Sequence, residues 1–66
     1  MKFEVGEIVK TDHELDPFVE VTYIYDNSFS GYTLQFRALH YGPINWASRV
    51  TSIEQLVLRT KYSDEI

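Results

Sequence analysis

The sequence predicts a small all-β barrel, and three observations carry that reading: five short apolar segments within 66 residues, alternation of apolar and polar side chains in the longest of them, and turn-forming residues between them. The segments are residues 5–10, 17–26, 32–39, 44–50 and 56–60. A chain of this length sits near the lower limit of independent folding, where roughly 60% of the unfolded surface is buried. Its aromatic residues, four Phe, five Tyr and one Trp, offset that limit, because each removes more surface from water than an aliphatic side chain does.

The first segment carries a kink. Gly6 interrupts the two-residue period and moves the apolar positions from Phe3 and Val5 to Ile8 and Val9, as a β-bulge would. Residues 11–16 follow with Asp12, Glu14 and Asp16 around His13. Pro17 then denies a donor to any central ladder, so this stretch is expected as an exposed acidic loop. In the second strand Val19, Val21, Tyr23 and Tyr25 share one face, expected to be the core face, opposite Glu20, Thr22, Ile24 and Asp26. Residues 26–31 are dense in turn formers, with Gly31 available for a positive φ at the start of the return strand. In that strand Leu34, Phe36 and Ala38 alternate with Thr33, Gln35 and Arg37, which predicts an antiparallel pair with the second strand.

Tyr41, Gly42, Pro43 and Ile44 form the next expected turn. Trp46, Ser48 and Val50 then face opposite to Ala47, Arg49 and Thr51. Ser52 to Gln55 has the spacing of a capping box, but only four residues separate Val50 from the apolar run Leu56, Val57 and Leu58. The prediction is therefore one 3₁₀ turn before a short last strand. One domain over residues 1–61 and a frayed polar tail over 62–66 complete the organisation.

The order of these parts is similar to that of SH3-like small β-barrels: a kinked first strand, a long polar loop, three strands in hairpins, a 3₁₀ turn and a short last strand. The likeness is topological and spans nearly the whole chain. The peptide-binding SH3 family carries an A-L-Y-D-Y motif near its start and a W-W pair opening its third strand. Here Ala38, Leu39, His40 and Tyr41 come far too late, and Trp46 stands alone after Asn45, so binding of proline motifs is not carried over. A very small, acidic, aromatic-rich chain also resembles many proteins encoded by bacteriophages and prophages, which implies a modulator or inhibitor of a host protein.

Composition narrows the function classes. With no cysteine there is neither a disulfide framework nor a thiolate metal site, and a reducing compartment fits best. No stretch has the apolar length of a membrane span, and the first residues lack the apolar run of a signal peptide, so the expectation is a cytoplasmic, soluble protein. The net charge of −4 is unevenly spread. Residues 1–26 hold two basic against seven acidic side chains, and residues 27–61 hold four against one, which gives a folded barrel an acidic and a mildly basic side.

Asp12, His13, Glu14 and Asp16 are the densest group of potential ligands. Their spacing fits no cation-binding loop and lacks the glycine of a sharp turn, so no metal is assigned. His13 and His40 have no local nucleophile partner, and the serines lack elbow or triad context. The chain is expected to be non-enzymatic, without a cofactor. The favoured function is protein binding, with Asp12, Glu14, Asp16 and Phe18 of the acidic loop as steering charges and rim, and Tyr32, Tyr41 and Trp46 as aromatic anchors for a partner that is basic at the contact. Asp16→Lys is expected to weaken capture of that partner with the fold intact. Self-association through an unpaired strand edge is a second route. The alternative is a nucleic-acid or nucleotide-binding barrel using the side that carries Arg37, Arg49 and Arg59, against which stand a sequence pI near 4.9 and only six basic residues.

Overall fold

The computed structural model describes residues 3–62. Its elements are β1 (Ile8–Lys10), β2 (Phe18–Ile24), β3 (Ser28–Thr33), β4 (Leu39–Pro43), a 3₁₀ turn (Ile44–Trp46), β5 (Ser48–Arg49) and the helix α1 (Ser52–Lys61). The five strands form one antiparallel sheet in the order β4-β3-β2-β1-β5. The protein is thus mostly β. Among the described residues no ladder joins β4 to β5, so the sheet is open where the sequence led us to expect a closed barrel.

Paired residues share a face of the sheet, and the registers therefore sort the side chains. Val9 opposes Val19, Val19 opposes Thr33, Val21 opposes Gly31, and Ile24 opposes Phe29. This is the inner face. Phe3, Val9, Val19, Val21, Phe29 and Ala47 are buried on it, with Ile24 and Ile44 packed against them. The Phe3 and Phe29 rings meet edge to face at 6.0 Å, the arrangement that ring quadrupoles favour. On the outer face run Ile8, Glu20, Tyr32 and Leu39 in one row, and Tyr23, Ser30 and Tyr41 in the next. A second cluster of Ile8, Leu34 and Leu58, joined by Phe18 and Tyr62, docks α1 on the β1 side of this face.

A bulge in β2 explains why the sequence period misleads there. The register slips between Val21 and Tyr23, leaving Thr22 extra. One inserted residue exchanges the faces beyond it. Tyr23 and Tyr25, expected in the core, are exposed, and Ile24, expected outside, packs on the inner cluster. The kink at Gly6 is a bulge coupled to a turn: Glu7 N–H donates to the Glu4 carbonyl at 3.0 Å, while Gly6 N–H donates to the Val21 carbonyl at 2.8 Å and Val21 N–H donates to the Glu7 carbonyl at 2.9 Å, so that Gly6 and Glu7 together oppose Val21. Gly6 sits at φ 93°, a conformation that glycine adopts without steric cost.

The hairpin positions also move. Tyr25 N–H donates to the Ser28 carbonyl at 2.8 Å, so Asp26 and Asn27 alone make the turn and residues 28–31 belong to β3. Gly31 serves close strand approach, not a positive φ, because a Cβ there would lie 2.2 Å from the Glu20 carbonyl oxygen. Residues 34–38, expected as strand, form the β3–β4 connection instead. Arg37 N–H donates to the Thr33 carbonyl at 3.1 Å, with Arg37 itself at φ 57°. Residues 41–43, expected as a turn, lie in β4, where Pro43 takes the terminal position of an edge strand that tolerates its missing donor.

The largest correction concerns the last segment. Residues 56–60 are helical, and the 3₁₀ turn lies at Ile44–Trp46, before β5, rather than at 52–55. Thr51 caps α1, its hydroxyl accepting from Glu54 N–H at 3.0 Å, one residue upstream of the cap suggested by Ser52. Glu54 in the first turn and Arg59 and Lys61 in the last complement the helix dipole. Only Leu58 is buried, while Gln55 accepts a hydrogen bond from Ile8 N–H at 3.2 Å and ties the helix to β1. Leu56 and Val57, which read as strand, point outward. The tail expected over 62–66 lies outside the described residues except for Tyr62, which packs beneath α1.

Candidate functional site

The acidic loop is fixed from within. Thr11 donates both its N–H, at 2.7 Å, and its hydroxyl, at 2.9 Å, to the Pro17 carbonyl, closing residues 11–17 into a compact loop. His13 N–H donates to the Thr11 hydroxyl at 3.3 Å, and Asp16 N–H donates to His13 Nδ1 at 3.2 Å. Asp16 is 3% exposed. Its carboxylate accepts from Gln35 N–H at 3.1 Å and Phe36 N–H at 2.9 Å, so it clamps the acidic loop to the β3–β4 turn. Burial pushes the Asp16 carboxyl up, but hydrogen bonds from the Thr33 hydroxyl and from Phe36 and Gln35 N–H, with His13 nearby, outweigh it and hold the group below its ordinary value.

Asp16, expected as an exposed contact, is therefore a buried structural residue. Asp16→Lys would break the clamp, not merely repel a partner. Phe18 is half-buried against the cluster beneath α1, where it packs rather than presents itself. Asp12 and Glu14 are exposed.

Across the inner face the loop and the 3₁₀ turn leave a gap. A cleft of about 210 Å³ is lined by Thr11, Asp12 and His13 on one side, by Pro43, Trp46 and Ala47 on the other, and by Phe29, His40 and Gly42 of the sheet. Nothing in the sequence alone points to a cleft at this place. This one exists because the sheet stays open and because Gly42 contributes no side chain at an inward position. A Cβ on Gly42 would lie 3.2 Å from His40 Nε2. The His40 ring rests beside Phe29, with centroids 5.3 Å apart. Burial, and then the charge of His13, lower the His40 pKa from its ordinary 6.5.

Of the residues expected to form a site, the structure brings only Asp12 and Trp46 together here. Trp46 is 65% exposed, so it forms a wall of the cleft and not part of the core. Tyr32 and Tyr41 stand on the opposite face of the sheet. There Tyr41 belongs to a chain of rings, Tyr25 to Tyr41 at 5.5 Å and Tyr23 to Tyr25 at 4.7 Å, all edge to face, and its hydroxyl bonds to Ser28 Oγ at 3.0 Å. Sequence reasoning missed Thr11, Phe29, Gly42, Pro43 and Ala47 as lining, and it weighed His13 only as a metal ligand or an acid–base group and His40 only as an acid–base group. The available signal was the His-x-Gly alternation of β4, which was masked by reading Gly-Pro as a turn.

The arginine side is largely engaged. Arg49 pairs with Glu7 through Nε, at 2.5 Å, and through a second guanidinium nitrogen at 3.2 Å. Arg59 reaches Glu20 at 3.4 Å and bonds to the Gly6 carbonyl. Among the described residues no group of three His, Cys, Asp or Glu is placed to hold a metal ion, and no helix is long and apolar enough to cross a membrane. No family model, curated protein or solved structure matches this chain.

Proposed function

We propose that the chain is a non-enzymatic, SH3-like protein-binding module whose cleft takes one large apolar side chain from an extended, basic segment of a partner. The observation that carries this reading is the cleft itself. Its volume of about 210 Å³ falls below the roughly 300–1,000 Å³ typical of small-molecule and cofactor sites and suits a side chain instead. Phe29, Pro43, Trp46 and Ala47 supply apolar walls, and exposed Asp12 on the rim supplies charge for a neighbouring Arg or Lys. The strand order, with a 3₁₀ turn leading into β5, supports the SH3-like comparison. Glu14, exposed in the same loop, adds to the steering field.

The test is selection from a displayed library of random peptides, with binding read by Trp46 fluorescence. Selected peptides are expected to share an apolar residue beside Arg or Lys and to shift the tryptophan emission to shorter wavelength. Gly42→Val fills the cleft and should cost at least about tenfold in affinity, while Asp12→Lys should cost about threefold and reduce the salt dependence. Peptides that bind Gly42→Val as tightly as the native chain would remove the cleft from the function.

A further inference from the structure

The two edges of the sheet are built differently. β5 has two residues, one of them Arg49, and so offers little to an incoming strand. β4 has five residues, Leu39, His40, Tyr41, Gly42 and Pro43, with no Lys, Arg, Asp or Glu among them. Natural sheets usually blunt such an edge with charge, a bulge or brevity. On β4 only the final Pro43 does so.

The hydrogen bonds show which groups the edge presents. Thr33 N–H donates to Ala38 and Ile44 N–H donates to Asn27, both at 2.9 Å, and these pairs continue the β3–β4 register at alternate positions. In an antiparallel ladder the intervening residues aim their peptide groups the other way. Leu39 and Tyr41 therefore direct N–H and C=O off the sheet, and Pro43 directs C=O alone. Their side chains stand on the outer face, 70% and 65% exposed for Leu39 and Tyr41.

We infer that β4 is a homodimer edge: two copies pair antiparallel through β4 about a two-fold axis at His40. Leu39 of each copy then exchanges both hydrogen bonds with Tyr41 of the other, which satisfies all four outward groups of that pair on each chain. The Leu39 side chain lies against the Tyr41 ring across the axis, an apolar–aromatic cross-strand contact made twice. Centring the axis on Tyr41 is worse, because the Leu39 carbonyl would then face the ring of Pro43, which has no N–H, inside the joint. With the axis at His40 the Pro43 carbonyl stays at the margin, open to water. A two-fold contact of this kind closes on itself, so it covers the exposed edge without open growth of the sheet. The chain's net charge of −4 opposes random association, whereas this edge is uncharged apart from imidazole. A second copy meets it without facing a like-charged row. The inference is independent of the cleft.

The experiment is sedimentation equilibrium of the intact chain at neutral pH from micromolar to millimolar concentration, with three variants. The native chain should show a reversible monomer–dimer equilibrium. Leu39→Lys, at an exposed site, should weaken association at least about tenfold while leaving the circular dichroism spectrum unchanged, and the melting midpoint unchanged at concentrations where the native chain is monomeric. Leu56→Lys, on the outward stripe of α1, should leave association unaltered. The chain has no cysteine, so His40→Cys provides a clean cross-link: residues opposed across the axis have Cα atoms about 4.5 Å apart, within disulfide reach, and the variant should form a covalent dimer under mild oxidation. A monomer at every concentration overturns the inference. So does a dimer that survives Leu39→Lys, or one lost with Leu56→Lys, which would assign association to the helix.

Discussion

The two faces of the sheet solve burial in different ways. On the inner face six side chains, Phe3, Val9, Val19, Val21, Phe29 and Ala47, form one continuous core without help from the helix. The outer face is split. Beneath α1 it buries Ile8, Leu34 and Leu58, and beyond the helix it leaves Tyr23, Tyr25, Tyr32, Leu39 and Tyr41 in solvent. A helix of ten residues cannot cover five strands, and the tyrosines occupy the uncovered part because their rings pack on one another while their hydroxyls stay wet. The inner face thus supplies stability and the cleft, and the outer face supplies an edge and a surface.

Large-to-small substitutions sharpen that contrast. Phe29→Ala removes the ring at the centre of the inner cluster and the floor of the cleft, and should cost about 3–5 kcal/mol in urea denaturation, enough to unfold much of so small a protein. Leu58→Ala on the outer side should cost about 2–3 kcal/mol, because the second cluster is smaller and can collapse more readily. If the two costs proved equal, the outer cluster would be as essential to stability as the inner one, and the two faces would not differ in this respect.

The smallest expected effect comes from the clamp between loop and turn, and it depends on pH. The Asp16 carboxyl is held below its ordinary 3.8 in the folded chain, so its contribution is present above that value and is lost as pH falls through the folded pKa. His40, lowered from 6.5, stays neutral in the folded chain after the unfolded chain has begun to bind a proton. Its contribution is whole above 6.5 and is lost as pH falls towards its folded pKa. Stability should therefore decline in two separate steps on acidification. Asp16→Asn should lower stability at neutral pH by about 1–2 kcal/mol and erase the lower step, and His40→Gln should erase the upper one. A single transition, unchanged in both variants, would show that neither group is coupled to folding.

Legibility in the sequence followed the range of the interactions involved. The alternation of Val19 and Val21 with Glu20 identified β2 and its buried face, because a two-residue period is written locally. The same rule failed two residues later, since the bulge at Thr22 arises from pairing with β3 and has no signature in β2 alone. Asp16 looked like a surface charge because its partners, the N–H groups of Gln35 and Phe36, are nineteen and twenty residues away. The helix was more accessible. Thr51 and Glu54 hold the spacing of a capping pair, and Ile53, Leu56 and Val57 hold the helical period, yet that stripe faces solvent and the run Leu56 to Leu58 imitates a strand.

The candidate site divides along the same line. Asp12 and Trp46 were legible as an exposed charge in a polar loop and a lone tryptophan, whereas their meeting across the cleft depends on the sheet staying open at β4 and β5. The sequence by itself determined that the chain is mostly β, that it holds no disulfide, and which side chains were available for a core. Only the tertiary structure decided which tyrosines lie outside, which carboxylate is structural, and where a cleft and an unblunted edge remain. Periodicity is set by neighbours along the chain, but register, closure and the pairing of distant polar groups are set by strands that meet only when the whole sheet has formed.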